Sequence, residues 1–78
     1  MICLATFFSH FGAIRFKRQC DALGWPAALM PVPRSLSSSC GTCVRYEGAL
    51  PKEPSDEVEQ IVQQTPSGYV TLYRAKDD

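Results

Sequence analysis

Ile2–Phe8 is an unbroken run of apolar, aromatic and β-branched residues, which predicts a buried strand. Ser9 stands where a helix N-cap is needed. From Phe11 to Leu23 the apolar positions Ala13, Phe16, Cys20 and Leu23 recur at helical spacing, and Arg15, Lys17, Arg18, Gln19 and Asp21 take the other faces. Gly24 suits the end of that helix and Pro26 prevents its continuation. Ala27–Val32 reads as a second strand, irregular at its end because of Pro31 and Pro33. Pro33–Gly41 has no periodicity and forms a loop, a long one for joining two strands. Thr42–Glu47 alternates, with Val44 and Tyr46 on one face and Cys43 and Arg45 on the other, and predicts a third strand.

Beyond the connector Gly48–Pro54, Ser55 resembles an N-cap, with Asp56, Glu57 and Glu59 near a positive first turn. Val58, Ile61 and Val62 then supply the stripe of a second helix ending near Thr65. Pro66-Ser67-Gly68 is turn chemistry, and Tyr69–Arg74 is a last strand with Val70 and Leu72 facing inward. The predicted order is β-α-β-β-α-β, the ferredoxin-like α+β plan: a four-stranded antiparallel sheet with two helices on one face. Right-handed crossovers place strand 3 between strands 1 and 2. They also gather the strand 1–helix 1 turn, the Pro33–Gly41 loop and the Pro66–Gly68 turn at one sheet edge, with Cys43 near the Thr6–Ser9 backbone.

A chain of 78 residues allows one domain, with a thin core; residues 75–78 are expected to fray. Eight basic and eight acidic side chains cancel, which argues against a general nucleic-acid binder. The cancellation hides a division. Residues 1–45 hold five basic side chains against Asp21 alone, and residues 46–78 hold three basic against seven acidic. No apolar run approaches the ~20 residues a membrane span requires. Met1–Phe8 lacks the basic flank of a signal peptide, so a cytoplasmic, reducing compartment with free thiols is expected.

Four cysteines, Cys3, Cys20, Cys40 and Cys43, are too few for a disulfide scaffold. Cys3 and Cys20 sit on apolar faces, where cysteine behaves as a small hydrophobe. Cys40-Gly41-Thr42-Cys43 is a C-x-x-C pair able to form a disulfide, share a metal, or hold a reactive thiolate beside a resolving thiol. A four-sulfur zinc site would need Cys3 and Cys20 as well. Ser37, Ser38 and Ser39 bring hydroxyls and closely spaced N–H groups, and Gly41 eases a sharp turn after Cys40. Such a turn can direct several N–H groups at one anion, a thiolate or persulfide. Arg34, Arg45 and the start of helix 1 offer positive potential, and His10, the one histidine, is a candidate base near Cys40.

Ala28-Leu29-Met30-Pro31-Val32-Pro33-Arg34-Ser35-Leu36-Ser37-Ser38-Ser39-Cys40-Gly41, followed by Val44-Arg45-Tyr46, resembles the signature of the selenium/sulfur carrier protein-like family, small bacterial domains of unknown function. The likeness runs from about Ile2 to Val62, and its specific part is the Pro-Arg…Ser-Ser-x-Cys-Gly stretch. It implies a carrier, not an enzyme, that holds sulfur or selenium on Cys40, with Arg34, Ser37, Ser38 and Gly41 shaping the loop. The implied partners are a donor, such as a cysteine desulfurase or another sulfur-relay protein, and an acceptor protein. No metal, cofactor, nucleic acid or membrane is implied. Cys43 departs from the family pattern. A thiol there would attack a Cys40 persulfide, release sulfide and leave a Cys40–Cys43 disulfide. The alternative reading is therefore a small thiol–disulfide redox or redox-sensing module using that pair.

Overall fold

A computed structural model describes residues 1–75. The elements run β1 (Ile2–Phe7), α1 (His10–Leu23), β2 (Ala27–Pro31), β3 (Thr42–Glu47), β4 (Val58–Thr65) and β5 (Gly68–Arg74). The five strands form one sheet in the order β2-β3-β1-β4-β5, and every neighbouring pair is antiparallel. β1 and β2 thus run parallel with β3 between them, and α1 makes the crossover, as the sequence predicts. Ser9 caps α1 in an extended conformation, its side chain accepting from Gly12 N–H. Gly24, at φ 76°, closes the helix: its N–H bonds Asp21 C=O and the Trp25 N–H bonds Cys20 C=O, a Schellman ending that only a left-handed residue allows readily.

The second helix does not exist, and with it the ferredoxin-like layout of four strands and two helices falls. Val58–Thr65 is a strand pairing with β1, and the chain then turns back as β5, giving one helix and five strands. The reason lies in a bulge. Thr6 faces Gln60 and Phe7 faces Val58, so Glu59 is an extra residue opposite no partner. That insertion puts Val58 and Ile61, three apart, on the same sheet face, which imitates the first step of a helical stripe. Val62 meanwhile points to the opposite face and is buried there. Ser55 does act as a cap, but of a turn: its hydroxyl accepts from Glu57 N–H and its C=O from Val58 N–H.

The core lies between α1 and the sheet, where Cys3, Ala5 and Phe7 of β1 meet Ala13, Phe16 and Cys20 of α1, with Val44, Tyr46, Val58 and Ile61 from neighbouring strands. Phe16 links Phe7 and Tyr46 at ring-centroid distances of 5.4 and 5.2 Å, and Trp25 stacks on Tyr46 at 5.7 Å. Full burial of a side chain such as Phe7 contributes about 1.5–3 kcal/mol. Cys3 and Cys20 are core hydrophobes, as expected. α1 packs on β1, β2 and β3. Val70, beyond its reach on β5, is 51% exposed rather than inward, and Leu23 at the helix end is 61% exposed.

The Pro66–Gly68 turn follows β4 and therefore lies at the opposite sheet edge from the Pro33–Gly41 loop, contrary to the expected grouping. Ala75 is still tied down, its N–H bonding Glu59 C=O at 2.9 Å. The rest of the expected frayed tail, residues 76–78, lies outside the described residues.

Gly48 is fixed by a close approach. A Cβ there would lie 2.4 Å from the Trp25 ring, and that ring is held by its stack on Tyr46. Gly48→Ala is expected to destabilise the fold by about 1–3 kcal/mol through overpacking, read as a lowered thermal unfolding midpoint.

Candidate functional site

The far ends of β1, β2 and β5, the starts of α1, β3 and β4, and the loop between β2 and β3 meet at one edge of the sheet. The loop does not stand free. Val32 and Leu36 pack on Leu4, Cys43 and Val62, the apolar residues of the sheet face that α1 leaves bare. Val32 N–H bonds Gly41 C=O across the base of the loop, and Leu36 N–H bonds Pro33 C=O to form a turn.

Polar contacts fasten the tip. Gln60 Nε2 donates to Ser37 C=O at 2.8 Å, and Ser38 Oγ donates to Phe7 C=O at 3.4 Å while accepting from Cys40 N–H at 3.2 Å. Glu59, the bulged residue of β4, receives Ser39 Oγ at 2.7 Å, Ser39 N–H at 3.2 Å from each carboxylate oxygen, and Thr6 Oγ1 at 3.2 Å. Partial burial pushes this carboxyl up. The hydrogen bonds from the Ser39 hydroxyl, Ser39 N–H and Thr6 more than reverse that, leaving it below the usual glutamate range. The loop does gather donors around an anion, but the anion is the protein's own.

The four thiols divide sharply. Cys3, Cys20 and Cys43 are 0%, 1% and 0% exposed, and Cys40 alone is partly exposed. All four are free. Cys43 lies beneath Val32 and Leu36, its Sγ 3.8 Å from Pro31 C=O, and burial pushes its thiol up to about 11. Cys3 of β1 and Cys20 of α1 lie in the core between helix and sheet whereas Cys43 faces the other side of the sheet, so four sulfurs do not converge as a zinc site would require. The C-x-x-C spacing thus sets one accessible thiol beside one sealed thiol.

The other expected residues are placed as follows. His10 opens α1 with Nδ1 3.2 Å from Thr42 Oγ1, joining the helix start to β3. Arg34 is exposed in the Pro33–Leu36 turn and Arg45 is exposed on β3; no hydrogen bond or ion pair ties either to the Cys40 loop among the described residues. Gly41 does not have a positive φ, and a Cβ there would meet nothing within 4 Å. Its expected steric role is therefore corrected: the backbone around Cys40 does not demand glycine.

Glu59, Gln60, Thr6, Leu36 and Arg74 carry the loop's setting and were not candidates from the sequence. Arg74, at the end of β5, reaches Gln60 Oε1 at 3.5 Å and lines a cleft of about 310 Å³ with Phe8, Ser37, Ser38, Ser39 and Glu59. Reading Val58–Thr65 as a β-branched strand would have freed Glu59 from a helix dipole, and pairing that strand with β1 is what brings Glu59 and Gln60 to the serine loop.

Fold and site define a small α+β domain presenting one thiol on a serine-rich loop. The family model described as "Putative Se/S carrier protein-like" matches residues 2–74, and the chain belongs to that family. No curated protein and no solved structure matches it.

Two outcomes follow from this geometry. Alkylation of the native protein at neutral pH is expected to label Cys40 alone, with Cys3, Cys20 and Cys43 reacting only after denaturation; peptide mapping checks this. Because the Glu59 carboxyl titrates lower folded than unfolded, its stabilising contribution is complete above roughly pH 4.3 and is lost as pH falls through the folded value. Glu59→Gln is expected to flatten the acid limb of a plot of unfolding free energy against pH.

Proposed function

We propose that this protein carries sulfur or selenium as a persulfide-type adduct on Cys40, receiving it from a donor protein and passing it to an acceptor without turnover chemistry of its own. The observation that supports this reading best is the division among the thiols: Cys40 is the single cysteine that solvent and a partner can reach. Family membership points to the same cargo.

Loading is a thiol exchange. The Cys40 thiolate attacks the terminal sulfur of a donor persulfide; that sulfur's bond to the donor breaks as a new S–S bond forms, and the donor leaves as a thiolate. No net oxidation occurs. Unloading repeats the step with an acceptor thiolate as nucleophile. A cysteine desulfurase or another sulfur-relay protein fits the donor role.

Cys43 bears on retention of the cargo. A thiol held at about 11 is ionised in about one molecule in ten thousand at pH 7, and its burial keeps it from a bound persulfide. A disulfide-forming redox couple would need Cys43 as an attacking thiolate, which this placement withholds.

Incubation with a cysteine desulfurase and cysteine is expected to add the mass of one sulfur atom to the protein, mapped to Cys40 and absent in Cys40→Ser. Unchanged mass, or sulfur on another cysteine, overturns the assignment. A Cys40–Cys43 disulfide formed in its place would favour the redox module.

A further inference from the structure

We propose that Glu59 is the positioning residue of the Cys40 loop: from its bulge on β4 it holds Ser39 down, keeping the loop seated over Cys43. The carboxylate joins the two residues through which the cysteines are set. Ser39, whose N–H and Oγ both donate to it, precedes Cys40 in the chain. Thr6, its third donor, is the register partner of Cys43 on β1. The remaining fasteners are single hydrogen bonds, Gln60 to Ser37 C=O and Ser38 to Phe7 C=O. Among the described residues, Glu59 is therefore the one side chain that gathers donors from both the loop and the strand beneath it.

Val32 and Leu36, on the same segment, pack with Met30 and Tyr69 on the cluster of Cys43, Leu4 and Val62, so lifting the loop removes part of the cover of Cys43 while leaving the α1 side of the sheet intact. Cys3 and Cys20 are buried on that α1 side, which makes them internal reporters. Opening of the loop exposes Cys43 alone, whereas loosening of the whole domain exposes all three. A carboxylate accepting from charge-free donors forms the stronger class of hydrogen bond, and labelling of a protected thiol follows the population of the open form when opening is fast.

The proposal deepens the reading of Cys40 as the carrying thiol, since it names what keeps the second thiol away from the cargo. Its test needs no cargo. Native alkylation followed by peptide mapping is run on the wild type, Glu59→Ala, Glu59→Gln, Ser39→Ala and the double variant Glu59→Ala/Ser39→Ala. Loss of the charged acceptor is expected to raise the Cys43 labelling rate in Glu59→Ala by about tenfold or more, with Cys3 and Cys20 still protected. Glu59→Gln, which keeps one accepting oxygen, is expected to recover part of the protection. Ser39→Ala is expected to raise the rate on its own and to add little to Glu59→Ala, since both act on one contact. Cys43 protection equal to wild type in Glu59→Ala overturns the proposal, as does joint labelling of Cys3, Cys20 and Cys43. Failure of wild-type Cys40 to accept sulfur would remove the carrier reading and leave this labelling result standing.

Discussion

A sheet with apolar side chains on both faces must cover both, and this chain has a helix for only one of them. α1 covers Cys3, Ala5, Phe7, Val44, Tyr46 and Ile61. On the other face Leu4, Cys43 and Val62 are shielded by Val32 and Leu36, from the Pro33–Gly41 loop and its approach, together with Met30 of β2 and Tyr69 of β5. The loop is therefore part of the core, although it has no periodicity and carries a run of serines. Its polar groups must be satisfied where it lies, and no buried side-chain polar atom among the described residues lacks a partner. The position of Cys40 thus follows from a burial requirement on the sheet.

The bulge at Glu59 is what makes that arrangement possible. Without the extra residue, strand alternation would put Val58 and Gln60 on one face. With it, Val58 joins Phe7 and Ile61 against α1, Gln60 turns to Ser37, and Glu59 is released from the ladder to meet Ser39 and Thr6. One inserted residue therefore completes the helix-side core and supplies two of the side chains that fasten the loop. Bulges re-aim side chains beside functional sites in this way.

The first half of the chain was legible in the sequence because each signal there had one physical meaning. Ser9, Gly24 and the spacing of Ala13, Phe16 and Cys20 all specify the same helix, and the alternation of Thr42–Glu47 sets Val44 and Tyr46 opposite Cys43 and Arg45 as observed. The second half was misleading because its signals have two meanings. Ser55 caps a turn as readily as a helix, and a bulged strand buried on both faces produces the three-and-four spacing of Val58, Ile61 and Val62. The accessible thiol on the serine loop was legible from Cys40-Gly41 and its surroundings. Its fastening was not, since Glu59 can be recognised as a loop partner only once β4 is paired with β1. The role given to Gly41 failed for a related reason: the loop's shape comes from contacts with β1 and β4, and the local backbone does not require a left-handed residue.

The placement of Glu59 also bears on how reactivity is apportioned. A loop directing Ser39 N–H and hydroxyl at a free anion would favour a thiolate or persulfide near Cys40. Here those donors are engaged by a carboxylate, and the charge nearest that end of the loop is negative. Selection among the four thiols therefore rests on access. Three are shut in by packing, with burial raising each of them, and the fourth is left at the surface beside a fastened backbone. Under the carrier role proposed above, this difference in access is what would restrict a donor or an acceptor to the Cys40 sulfur.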